Sequence, residues 1–265
     1  MKSPPILRNK GYRQQSIFQP ENLVREGRRQ KQVTDGPIPA LNILDPDGDI
    51  LRHLIATGVA AKSEHWPCYH SDLYEFERAG QTIGIIGCAV GAPYAVLLAE
   101  QMFACGARLI VSITSSGQLQ SLGPTPYFVV VERALRDEGT SYHYLEPADF
   151  IEADSALIDT AYSLLCNAGP RVFRGATWTT DAPFRETESM LAEGRALGLA
   201  AIEMECAALY ALARAKGYPV LCLAHVTNTM AVSGDDFEKG EAHGALEALA
   251  LIDVLAANVP DLTEF

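Results

Sequence analysis

The sequence predicts an α/β fold: one three-layer α/β/α domain around a central, mixed but largely parallel, twisted sheet. Three observations carry this expectation. Short β-rich apolar runs alternate with longer helical ones along most of the chain. The strand runs are continuously apolar, as in strands that helices cover on both faces. With 265 residues, 48% of them hydrophobic, the chain can bury a large core without dividing into two bodies.

Taken in order, "IPALNIL" (38–44) is the first strand and "DILRHLIATGVA" (49–60) the helix after it. "TIGIIGC" (82–88) is a strand, followed through a glycine turn by the helix "APYAVLLAEQMFACG" (92–106), with Pro93 near its first turn and Gly106 just past its end. "RLIVSIT" (108–114) and "YFVVVERAL" (127–135) are strands, "ALIDTAYSLLC" (156–166) a helix and "VFRGATW" (172–178) a strand. "ETESMLAEGRA" (186–196) is helical, "AAIEM" (200–204) a strand and "CAALYALARAKG" (206–217) its helix. "YPVLCLAHVT" (218–227) and the helix "GALEALALIDVLAANV" (244–259) close the series. Residues 80–99 are uncharged and as long as the ~20 residues that span a bilayer. Gly84, Gly87, Gly91 and Pro93 interrupt them, so they are assigned to strand, turn and helix start, and no membrane partner is expected.

Charge divides the chain. Residues 1–35 carry eight Lys or Arg, Lys2 among them, against three acids, so this basic N-terminal arm is +5 and residues 36–265 are −17 of the total −12. An acidic body lacks the cations that grip phosphate backbones, so no nucleic acid is expected; the arm is expected to be docked on its own body or a neighbour, or partly mobile, with a nucleic-acid tail as the alternative. The six cysteines form no CxxC pair and no zinc-like spacing, which reads as reduced core thiols, no metal and a cytoplasmic location. No apolar h-region marks a secretory signal at the N-terminus.

Ligands of open α/β sheets collect at the carboxyl ends of strands, and five such junctions carry polar residues. In "AIEMECAALYAL" (201–212), Glu203 and Glu205 flank Met204, and two carboxylates there are costly unless bound. If the strand continues through them, both face one pocket and suit vicinal hydroxyls; the alternative is one Glu paired with a buried Arg and the other capping the helix. "SITSSGQ" (112–118) offers Ser112, Ser115 and Gly117 in a turn able to surround an anion or a polarised water. "TTDAPFRET" (179–187) offers Phe184 as a stacking face, Asp181 and Glu186 as acceptors and Arg185 as a donor, or else a capped helix start. Asn228 can donate and accept at once, as an amide-like heterocycle edge requires, whereas the adjacent His225 is a core histidine. "DPDGD" (45–49) lacks the later Glu of a calcium loop.

In this order the motifs resemble the nucleoside phosphorylase superfamily, which includes purine nucleoside phosphorylase, uridine phosphorylase and methylthioadenosine/S-adenosylhomocysteine nucleosidase. "AIEMECAALYALA" is similar to that family's Val-Glu-Met-Glu-Ala segment, and "GCAVGAPYAVLLAEQMFACGARLIVSITSSGQL" and "TTDAPFRET" resemble its glycine turn and base-pocket loop, over about residues 38–257. The resemblance implies an enzyme that cleaves the N-glycosidic bond of a purine or pyrimidine nucleoside without a cofactor. It implies Glu205 on the ribose 2′- and 3′-hydroxyls, Met204 packing on the sugar, Glu203 nearby, Phe184 stacking on the base and Asn228 activating it. A homo-oligomer (dimer, trimer or hexamer) is implied as well, with His70 in the region that reaches a neighbouring site.

The family's phosphate-binding arginines are absent: Gly48 and Ser112 stand at two of their positions, and "CYHSD" (68–72) at a third. Asp49 stands at or within one residue of the nucleosidase's water-activating Glu, with helix capping as its alternative. Hydrolysis is therefore expected slightly ahead of phosphorolysis with phosphate as co-substrate; a non-catalytic nucleoside sensor is the rival of another class.

Overall fold

The structure, a computed structural model, describes residues 4–230 and 236–263. Lys2 of the arm lies outside the described residues. The arm holds an element with no counterpart in the strand and helix assignments above: α1 (Pro20–Lys31), with proline at its first position, Glu21 in the first turn and Arg28, Arg29 and Lys31 in the last. Then follow β1 (Leu41–Asp45), α2 (Asp49–Ala56), the short β2 (Ala61–Lys62), β3 (Tyr74–Arg78), β4 (Gln81–Gly87) and α3 (Ala92–Ala104). The middle of the chain gives β5 (Leu109–Gln118), β6 (Tyr127–Asp137), α4 (Ser141–Tyr144), β7 (Phe150–Glu152) and α5 (Ser155–Leu165). The last third gives β8 (Val172–Thr180), α6 (Glu188–Ala196), β9 (Leu199–Glu203), α7 (Cys206–Lys216), β10 (Val220–Asn228) and α8 (Ala245–Ala257).

The α/β/α expectation is borne out. Successive residues of the central strands go to opposite helix layers, as the period of two demands. Leu44, Ile86, Ile110 and Cys222 face α1, α3 and α7, while Ile43, Ile85, Val111 and Leu221 face α2, α5 and α8. The longest ladders, β5 with β10 and β6 with β8, are parallel, as are both flanks of β1. Antiparallel pairs join β2 to β3, β3 to β4, β6 to β7 and β6 to β10.

The sheet also curls on itself. β5 pairs with β10 along most of its length and, at Gly117 and Gln118, with β9; β9 pairs with β8, β8 with β6, and β6 with β10. Five strands thus form a closed ring, and β5 belongs both to the ring and to the open part of the sheet. Because β1 leaves β5 after Ser112, the gap between the ends of β1 and β9 is spanned only by the last residues of β5.

The arm is docked. Val24 and Gly27 of α1 are buried, and the Lys31 ammonium donates to the Cys68 carbonyl at 2.6 Å. A Cβ on Gly27 would lie 2.6 Å from the Pro67 carbonyl oxygen, so only glycine allows that approach. Arg28 ties the end of the arm back through the Gly36 carbonyl and Asp35. The cysteine expectation needs correction at two positions: Cys68, Cys105, Cys206 and Cys222 are buried free thiols, but Cys88 and Cys166 are exposed, each on a turn past the end of its strand or helix. No helix among the described residues is long and apolar enough to cross a membrane.

Candidate active site

The strand ends meet at a cavity of about 370 Å³, within the usual range for small-molecule sites. It is lined from β5 by Ser115, Ser116 and Gly117, from β9 and its turn by Ile202, Glu203 and Met204, and from β10 by Asn228. Asp47 closes one side; Phe184 and Glu186 close another.

The two glutamates have separate jobs. Glu203 ends β9, and its side chain is fully used: Oε2 accepts from the amides of Glu205 and Cys206, both at 2.7 Å, and Oε1 from the hydroxyls of Thr177 (3.1 Å) and Thr179. It caps the first turn of α7, half of the capping alternative. Among the described residues no arginine pairs with Glu205. Glu205 occupies the N-cap position, its Oε1 accepting from the Gly91 amide at 2.7 Å, while the buried Oε2 makes no well-formed hydrogen bond; the Thr114 hydroxyl and the Met204 amide lie close enough to favour the charged form. Burial, reinforced by the nearby Glu203 carboxylate, pushes the Glu205 carboxyl up to about 8. A buried acceptor with one open lone-pair site is costly when empty and suited to a hydroxyl donor.

Asn228 is 6% exposed, its Oδ1 accepting from the Met230 amide at 2.9 Å and its Nδ2 donating to Thr227 Oγ1 at 3.2 Å. A Cβ on Gly117 would meet Met230 Sδ at 2.6 Å, so glycine keeps this corner open. Phe184 sits on a 3₁₀ turn, Pro183–Arg185, and is 99% exposed, leaving both ring faces free. Burial raises the carboxyl of Glu186. Across the rim stands Phe237, a lining residue the sequence did not single out.

At the β1–α2 junction, Asp45 is buried and caps α2, accepting from the amides of Gly48 (3.0 Å) and Leu51 (2.9 Å); burial lifts it to about 7. Asp49 is ion-paired through both oxygens, to Arg52 at 2.5 Å and to Lys239 at 2.6 Å. Although burial pushes its carboxyl up, hydrogen bonds from Lys239 and Arg52 hold it below its usual range. These pairs weigh against the water-activating role expected of Asp49, because a carboxylate held low by two cations is a weak base. Asp47 instead faces the cavity, its Oδ2 accepting from the Ser115 amide at 2.9 Å. The Ser115 hydroxyl bonds Thr227 Oγ1 at 3.1 Å.

Six expected residues are not among the side chains that line the cavity: Glu205, buried just behind Met204, Asp49 on α2, and four others. Ser112 is wholly buried within β5, its hydroxyl without a partner. Asp181 turns to the Gly139 amide at 2.8 Å. Arg185 is exposed on its turn, and His70 is exposed beside α3, its carbonyl accepting from the Tyr94 hydroxyl. Nothing in the sequence marked Lys239, which reaches Asp49 across 190 positions of chain. No group of three or more His, Cys, Asp or Glu side chains among the described residues could hold a metal ion.

Residues 44–257 match the family described as the phosphorylase superfamily. The chain is 26% identical to the uridine phosphorylase of Thermococcus kodakarensis over 79% of its own length and 84% of that protein's. It is also 26% identical to a DeoD-type purine nucleoside phosphorylase of Hahella chejuensis (69% and 78% covered), and 28% identical to a guanosine phosphorylase of Halorubrum lacusprofundi (52% and 57%). The fold is that of the uridine phosphorylase of Vibrio fischeri ES114, with a TM-score of 0.69 at 22% identity, covering 87% of this chain and 94% of that one.

Proposed function

The chain belongs to the phosphorylase superfamily, a family of enzymes, and from that premise we propose that it cleaves the N-glycosidic bond of a nucleoside by passing the ribosyl group to phosphate. The observation that carries the reading is Glu205: an oriented, buried carboxylate with one oxygen that makes no well-formed hydrogen bond, directly after Glu203 and Met204, which line a cavity of nucleoside size. The fold by itself holds Glu205 protonated up to about pH 8, and ribose hydroxyl donors together with the developing sugar cation favour its ionised form, in which it accepts from the hydroxyls and steadies the positive charge. Phe184 offers a face to the base, and the Asn228 amide donates to the atom that takes up negative charge as the bond breaks.

Phosphate as acceptor reverses the order expected from the sequence. Three relatives are named phosphorylases, and Arg52 and Lys239 supply cationic charge near the place where arginines are missing. Arg52, one helical turn beyond Gly48, brings its guanidinium against the position the resemblance gives to an arginine: a Cβ on Gly48 would come within 2.8 Å of Arg52 Nη1. Hydrolysis is the second reading, favoured by the Asp47 carboxylate on the Ser115 amide, which opposes a dianion. Base release from a nucleoside panel, with and without phosphate, separates the two. Release that needs phosphate and yields ribose 1-phosphate is expected; equal release without phosphate, yielding free ribose, selects hydrolysis. We also propose a homo-oligomer, supported by the exposed Ile17, Phe18, Val90 and Leu97 side chains; a monomer by light scattering would refute it.

A further inference from the structure

Asp47 fills none of the roles that the motifs assign, yet it holds the centre of the acceptor end of the cavity. One of its carboxylate oxygens takes the Ser115 amide at 2.9 Å and lies 3.6 Å from the Lys239 ammonium. A backbone N–H at a cavity wall with an ammonium close by is the donor set an oxyanion uses. That set is already engaged by an oxyanion belonging to the chain itself. Lys239 is further committed to Asp49 at 2.6 Å, and Arg52 to Asp49 and to the Asp47 carbonyl at 2.7 Å, so no cation of this junction is left unpaired for an incoming dianion.

We infer that Asp47 is a built-in occupant of the acceptor position, and that it sets how well phosphate competes for the Ser115 amide and Lys239. Phosphate arriving beside an unmoved Asp47 meets like charge at contact distance in a partly enclosed site. Arriving in its place, phosphate gains the amide and the ammonium that Asp47 gives up. The Asp47 side chain is 32% exposed, so it has solvent to turn into when displaced. Asp47 is therefore a specificity-determining residue for the acceptor: it weakens the hold on dianions without touching the sugar or the base. The consequence for turnover rests on the phosphorolytic reading, but the consequence for binding does not.

Calorimetric titration of inorganic phosphate into the full-length protein and its Asp47→Ala and Asp47→Asn variants tests this. Asp47→Asn keeps an acceptor for the Ser115 amide and the size of the side chain while removing the charge, so it guards against a folding defect in Asp47→Ala. The wild type is expected to bind phosphate weakly, Asp47→Ala at least about tenfold more tightly, and Asp47→Asn in between. Phosphate affinity that is unchanged or weaker in both variants overturns the role of Asp47. Phosphate-independent base release by the wild type overturns the phosphorolytic reading instead, and leaves the titration to decide on Asp47.

Discussion

The β9–α7 and β1–α2 junctions both place carboxylates at the end of a strand and the start of a helix, and they neutralise them in opposite ways. At β9–α7 the partners are neutral: four amides and hydroxyls saturate Glu203, and one amide orients Glu205 while its other oxygen stays open. At β1–α2 the partners of Asp49 are cations, and Asp47 lies against an amide with Lys239 close by. Neutral donors fix a carboxylate's direction without cancelling its charge, which suits a group that must meet sugar hydroxyls and a developing cation. Cations cancel the charge, and an ion must break an existing pair to enter. On the proposed reading, the difference teaches that the junction offered to the sugar is preorganised whereas the one offered to the acceptor is self-occupied.

The comparison breaks first at Glu205. Glu205→Gln keeps the shape and loses the charge, so kcat/KM is expected to fall by at least about a hundredfold with folding intact; a near-wild-type value would remove Glu205 from the reaction. Glu203→Ala should instead destabilise, by roughly 2 to 4 kcal/mol in denaturant unfolding, because two helix-start amides and two threonine hydroxyls lose their acceptor. An unaltered unfolding midpoint would deny it the capping role. Lys239→Met leaves Asp49 with Arg52 alone and should raise the half-saturating phosphate concentration about tenfold, while the nucleoside KM changes little. An equal change in both would mean that the two junctions are not separate.

The smallest effect is one of pH. The Glu205 carboxyl, raised to about 8 in the fold, lies above its ordinary value of 4.5, so between these values the folded protein holds a proton that the unfolded chain has released. Stability should therefore be highest at the acid end of that window and fall as pH rises towards 8. Asp45, raised from 3.8 to about 7, adds to the same slope. Melting temperatures from pH 5 to 8 should decline less steeply in Glu205→Gln; an unchanged slope would mean that Glu205 is not held protonated.

The order of strands and helices was legible because apolar runs and glycine or proline breaks are local signals, and so was the β9–α7 junction, where two acids in an apolar run stand out. The helix α1 was missed because its charged face outweighs a short apolar stripe, although proline at its start and basic residues at its end announced it. The short β2–β3 hairpin and the closure of the five-strand ring depend on pairings between distant segments that no local pattern encodes. At the acceptor end the sequence led to Asp49 and past Asp47, since a turn of three alternating acids does not reveal which one points inward. Its neutralisation by Lys239 is a contact made only by folding.

The docked arm bears on the ordering of Glu205, the carboxylate proposed to meet the ribose. The Gly91 amide that aims Glu205 belongs to the first turn of α3, the helix on which α1 lies. The change of charge at residue 35 is thus no mechanical boundary: the basic segment is part of the ground against which Glu205 is braced. On the proposed reading, a carboxylate held this way has less motional freedom left to lose when a sugar arrives, so part of its ordering is completed during folding and not at each encounter with substrate.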